Sequence, residues 1–182
     1  MDSSGKIQLT EKIIAAGSGG QGIMLLGKLL AEAGMRAGQQ VTWLPSYGAE
    51  VRGGTANCMI IISKEEIASP YVETADTLIV MNQLSLEKFS SRLKPGGILL
   101  YNSSLASVPR RTGIDVRGYP FSEKAVSAAG SMKAANMVAL GAYVAIKNIV
   151  SVESVLDIVK QQKRELLEMN KKALLAGIAL VK

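Results

Sequence analysis

The chain has 182 residues, 48% of them hydrophobic, 20% charged and only 4% aromatic, and a net charge of +6. That length suits one domain with a core of its own. With no His and a single Cys, Cys58, the chain alone cannot supply a Ser-His-Asp triad, a Cys-His pair, an HExxH zinc site, a His-ligated haem, a disulfide or an iron–sulfur cluster.

No apolar segment follows a basic start at Met1–Lys6, and no apolar run approaches the roughly 18 residues of a membrane span. The expectation is a soluble, cytoplasmic protein without a membrane partner. The charge is uneven: residues 1–90 carry a net −2 and residues 91–182 a net +8. A basic half suits an anionic partner. The scarcity of aromatics and the lack of basic runs interleaved with them argue against nucleic acid.

In chain order, Lys12–Ala16 is a short apolar run that ends at glycine and reads as a buried strand. Gly17–Gly22 is a loop. Leu26, Leu29, Leu30 and Ala33 then recur at helical spacing, with Gly38 placed as a stop. Val41–Leu44 is a second strand that Pro45 should end. A long loop leads directly into a strand at Asn57–Ser63, with no helix between. Thr77–Met81 is a fourth strand and Leu84–Leu93 a short helix. Pro95-Gly96-Gly97 turns into a strand at Ile98–Tyr101, and Asp115–Pro120 reads as a last strand at the sheet edge. The remainder is helical: an almost wholly apolar stretch at Met132–Val150, an amphipathic helix marked by Val152, Val155, Leu156 and Val159, and a final helix from about Lys163 to Ala179, interrupted or ended near Gly177. The order predicts an α/β fold, a Rossmann-like doubly wound, mostly parallel sheet with helices on both faces and a helical C-terminal segment, residues 1–182 forming one domain.

Gly17, Ser18, Gly19, Gly20, Gln21 and Gly22 fit G-x-G-x-x-G between a strand and a helix. Glycines in that position let backbone N–H groups approach a phosphate, and the helix N-terminus favours negative charge. A tight turn whose glycines serve helix–sheet packing is the other reading. A dinucleotide is disfavoured, because the place for a ribose-binding acid holds Trp43, Leu44 and Pro45. No Gly-Lys-Ser/Thr closes the loop, so ATP hydrolysis has no support.

The second loop gathers Tyr47, Gly48, Glu50, Arg52, Gly53 and Gly54. Arg52 can grip a carboxylate or phosphate through paired hydrogen bonds. It can equally pair with Glu50 and steady the loop. Cys58 reads as a buried core thiol and Asn136 as a satisfied buried amide.

Together, Gly17–Gly22 opening a Leu-rich helix, Tyr47–Gly54 leading into a strand, and the Leu93–Gly97 turn before Tyr101 resemble the gamma subunit of the 2-oxoacid:ferredoxin oxidoreductases, over roughly residues 11–182 and most closely the 2-oxoglutarate type. The resemblance implies a Rossmann-like subunit of an enzyme that oxidatively decarboxylates a 2-oxoacid to an acyl-CoA and reduces ferredoxin. Thiamine diphosphate, Mg2+ and the iron–sulfur clusters would lie on partner subunits: alpha, beta and, in some forms, a ferredoxin-like delta. It makes Gly17, Ser18, Gly19, Gly20, Gln21 and Gly22 candidate coenzyme A contacts. Tyr47, Gly48, Glu50, Arg52, Gly53 and Gly54 become candidates for a loop facing the catalytic subunits. It names no catalytic residue and no metal ligand in this chain. Pyruvate, branched-chain 2-oxoacids and indolepyruvate are alternative substrates, and a homodimer is one option for the isolated chain. A free-standing nucleotide-binding protein is the alternative of another class.

Overall fold

In a computed structural model, which describes residues 10–46, 55–108, 112–161 and 164–181, the strands form one six-stranded sheet of order β2-β3-β1-β4-β5-β6. The strands are β1 (Thr10–Ser18), β2 (Gln40–Ser46), β3 (Thr55–Ser63), β4 (Ala75–Val80), β5 (Leu93–Asn102) and β6 (Asp115–Tyr119). β1, β4, β5 and β6 pair in parallel, whereas β3 runs antiparallel to both β1 and β2. This is the mostly parallel α/β sheet expected from the sequence, and its single reversed strand follows from a β2–β3 connection of eight residues, shorter than the roughly dozen that a parallel crossover needs.

The helices are α1 (Ile23–Arg36), α2 (Gln83–Phe89), α3 (Phe121–Ala129), α4 (Ala135–Lys147), α5 (Val152–Lys160) and α6 (Arg164–Ala179). They cover the two faces unequally. Ile13, Ala15, Cys58, Ile60, Ile62 and Ile79 face a large core completed by α1 and α3–α6. Ile14, Ala16, Met59, Ile61, Leu78 and Val80 face a smaller core with Leu86 and Phe89 of α2 and the partly buried Ile67, Ala106 and Val108 of two connections. The alternation along β1 and β3 is the period of two that sends neighbouring side chains to opposite faces.

Several boundaries differ from the sequence reading: β1 runs on through Gly17 to Ser18, the first two residues of the expected loop, and the stretch at Met132–Val150 divides into a 3-10 turn at Met132–Ala134 and α4, which ends at Lys147. β2 continues through Pro45 to Ser46, because it is an edge strand and a missing N–H costs nothing on its free side. The helix expected at Leu84–Leu93 ends at Phe89 and tightens into a 3-10 turn at Ser90–Arg92. β5 begins at Leu93 and carries Pro95-Gly96-Gly97 within it as an irregularity against β4. α6 runs through Gly177 without a break.

Candidate functional site

The parallel strands end together, and the connections leaving those ends gather at one edge of the sheet. α1 leaves β1 for the large core, and α2 leaves the neighbouring β4 for the small one. Helices that depart to opposite faces leave a crevice between their strands, where open α/β folds place ligands. Gly17–Gly22 lies at that point.

The loop's glycines have different jobs. A Cβ on Gly17 would lie 2.7 Å from Gln21 Oε1 and 2.8 Å from Ile23 Cδ1. A Cβ on Gly22 would lie 2.4 Å from Asn136 Nδ2. Both positions are bare so that the protein's own side chains can pack there. Gly20 has φ +86°, and the space its Cβ would enter is open. Gly22, also left-handed at φ 71°, caps α1 with backbone alone, and its carbonyl accepts from Leu26 N–H at 3.0 Å and from Asn136 Nδ2 at 3.1 Å. Asn136, buried at the start of α4, is thus the satisfied amide expected from the sequence.

The inner side of the loop is polar and self-paired. Ser18 N–H donates to Gln21 Oε1 at 2.7 Å, and Gln21 N–H donates to Ser18 O at 3.2 Å. Gln21 Nε2 donates to Met81 O at 3.4 Å. Asn82, which caps α2, donates to Ser18 Oγ. Asn102 plays a similar part further along: its Nδ2 donates to Ser122 Oγ at 2.8 Å and its Oδ1 accepts from Ser122 N–H at 3.3 Å, joining β5 to α3. The sequence reading missed Asn82, Asn102 and Ser122. The signal for Asn82 and Asn102 was a polar residue at the end of an apolar strand, a weak cue without the strand order, and Ser122 on α3 carried no such signal.

Two clefts flank the loop. One, of about 400 Å3, is lined by Ser18, Gly19, Gly20, Gly22, Met24 and Leu25, with Ser46 and Ala56 from the ends of β2 and β3. The other, of about 150 Å3, runs from Gly20 and Gln21 past Met81 and Ser122 to Met132 and Lys133. Among the described residues no acidic side chain lines either cleft, and Lys133 lines the second, so the described linings tolerate an anion. The candidate residues Tyr47, Gly48, Glu50, Arg52, Gly53 and Gly54 lie outside the described residues. The flanks of their loop are described: Ser46 and Ala56 line the first cleft, and Thr55 pairs with Ser18, which also lines it.

Cys58 is fully buried under α1, and burial pushes its thiol up to about 12, so it presents no thiolate. Among the described residues there is no group of three or more His, Cys, Asp or Glu side chains that could hold a metal. No described helix is long and apolar enough to cross a membrane.

The family model for pyruvate ferredoxin/flavodoxin oxidoreductase matches residues 12–180. The chain belongs to this family. Within it, the chain is of the gamma type. The gamma subunit of a keto/oxoacid ferredoxin oxidoreductase from Geobacter sulfurreducens PCA superposes with a TM-score of 0.83 at 32% identity, covering 94% of this chain and 98% of that one. The 2-oxoglutarate synthase subunit KorC of Archaeoglobus fulgidus is 34% identical over 91% of this chain and 84% of its own length. A 2-oxoglutarate:ferredoxin oxidoreductase from Magnetococcus marinus, solved with 2-oxoglutarate, coenzyme A and succinyl-CoA bound, superposes with a TM-score of 0.85 at 27% identity, over 96% of this chain and 31% of that one. The ketoisovalerate oxidoreductase subunit VorA of Methanothermobacter thermautotrophicus is 39% identical over 91% of this gamma-type chain and 35% of its own length. The chain therefore spans about a third of the length of the VorA relatives it matches.

Proposed function

We propose that this chain is the gamma subunit of a multi-subunit enzyme that oxidatively decarboxylates a 2-oxoacid, forms the acyl-CoA and passes the electrons to ferredoxin. Residues 1–182 act as one gamma-type domain whose glycine loop holds phosphate groups of coenzyme A. The observation that carries this reading is the open side of Gly20, with φ +86° and clear space beyond it, between two clefts that no acidic side chain lines among the described residues. Backbone approach of that kind suits a phosphate at a helix start. The coenzyme A bound in the related Magnetococcus enzyme supports the choice of ligand.

Among 2-oxoacids, 2-oxoglutarate is favoured. The similarity to KorC extends over most of both chains, whereas VorA is matched over only a third of its length. Coenzyme A supplies the thiol that takes the acyl group. This chain's part is to bind and orient its anionic end. Thiamine diphosphate, Mg2+ and the clusters belong to alpha and beta partners and, in some forms, a ferredoxin-like delta, and Tyr47, Gly48, Glu50, Arg52, Gly53 and Gly54 are the candidates for contacting them. A ligand set for a cluster does not fit here, since the one thiol is buried and protonated.

Gly20→Asn and Gly20→Asp test the loop. Both residues tolerate left-handed backbone better than others, and they differ mainly by one negative charge. In the assembled enzyme, KM for coenzyme A should rise several-fold more for Asp than for Asn, with kcat changing little. Equal KM values would remove the loop from the anion site.

A further inference from the structure

We propose that Asn82 is a positioning residue for coenzyme A binding, setting the glycine loop through Ser18 and Gln21. The inference rests on the coenzyme A reading of that loop. Asn82 stands where β4 passes into α2. Its Oδ1 accepts Ser85 N–H at 2.9 Å as the α2 cap, which fixes the orientation of the amide. Its Nδ2 is then directed across the crevice, where it donates to Ser18 Oγ and lies 3.4 Å from Gln21 Oε1. Gln21 returns the connection through Nε2 to the carbonyl of Met81, the residue before Asn82. Met81 N–H in turn donates to Ala16 O at 2.9 Å. The links form a closed ring from the β4–α2 junction to the β1–α1 loop and back.

This ring bridges the crevice between β1 and β4 with the protein's own side chains. The loop is held from inside, and Gly20 is left open on the outside. An anionic ligand therefore meets donors whose placement the ring has already set. Preorganised donors spare the ordering cost at binding. Loosening the ring should weaken the ligand without touching the chemistry of acyl transfer.

Capping and loop positioning are separable. Asn82→Ser keeps a cap acceptor of equal rank but is too short to reach Ser18 and Gln21. In the assembled enzyme, N82S should raise KM for coenzyme A by roughly tenfold, the worth of one well-made hydrogen bond, with kcat within about twofold of wild type. In the full chain, the Ser18 amide should exchange its hydrogen faster while the melting temperature is nearly unchanged. Unchanged Ser18 exchange overturns the proposal. So does faster exchange with an unmoved KM in N82S when Gly20→Asp does raise it. If neither substitution moves KM, the coenzyme A reading of the loop fails, and this inference with it.

Discussion

Glu11 is fully buried near the start of β1, where Thr77 Oγ1 donates to its Oε1 at 2.6 Å and Lys147 Nζ lies 2.9 Å from its Oε2. Burial raises its pKa above the ordinary 4.5, and the contacts with Thr77 and Lys147 oppose that shift without cancelling it. A group with a raised folded pKa contributes stability that is full below the unfolded value and is lost as pH rises through the folded one. Glu11→Gln keeps an acceptor for Thr77 and removes the charge, and Lys147 retains some solvent contact. The melting temperature of the variant minus that of wild type should therefore be small at pH 4 and grow more positive as pH rises above about 4.5. A pH-independent difference would show that burial of this carboxylate carries no charge penalty. Nothing in the local pattern points to the cluster, since Thr77 and Lys147 come from distant elements and Glu11 looks like any surface acid at a strand start.

At the scale of elements, backbone approach decides the packing of α4 on α6. A Cβ on Gly141 would lie 2.1 Å from Leu174 O, and one on Gly177 would lie 2.0 Å from Val138 O. Each helix places its glycine against the other's backbone. Glycine inside a helix ordinarily costs about 1 kcal/mol relative to alanine, and here the close approach offsets that. Gly177→Val should destabilise by about 3 kcal/mol through overpacking, a fall of roughly 6–12 °C in Tm for a domain of this size. Leu175→Ala, at an exposed position on the same helix, should stay within about 0.5 kcal/mol. Similar falls for both would mean that α6 responds to helix propensity and not to the crossing. The interruption expected near Gly177 follows from reading glycine as a helix breaker, because its helical partner at Gly141 is visible only in three dimensions. α1 uses glycine the same way: a Cβ on Gly27 would lie 2.4 Å from Cys58 Sγ, and one on Gly34 would lie 2.9 Å from Val41 Cγ2, seating the helix directly on β3 and β2.

At the scale of the molecule, the sheet buries one face under five helices and leaves the other to α2 and two connections. All the elements that bound the two loop clefts reach the edge where the parallel strands end, so that edge is the side expected to meet the catalytic partners. Purification from native extract should bring down thiamine- and cluster-bearing chains with this one. Against a panel of 2-oxoacids, the complex should turn over 2-oxoglutarate with at least about tenfold higher kcat/KM than 2-oxoisovalerate or pyruvate, a preference worth roughly 1.4 kcal/mol. A reversed order would assign the enzyme to another member of the group. A chain recovered alone at every ionic strength would argue against the subunit role.

The sequence by itself determined the fold class, the position of the glycine loop and the kinds of chemistry this chain cannot perform alone, because these depend on local periodicity, on glycine spacing and on which side chains are present. The two glycine motifs also carried the family. Tertiary structure decided which glycines serve packing and which face open space. It decided that Pro45 could stay within an edge strand, and that Asn82, Gln21 and Ser18 close one ring across the switch point. Those outcomes depend on strand order, which places β4 beside β1 and joins residues far apart in the chain. Local pattern specifies each element but is silent about its neighbours.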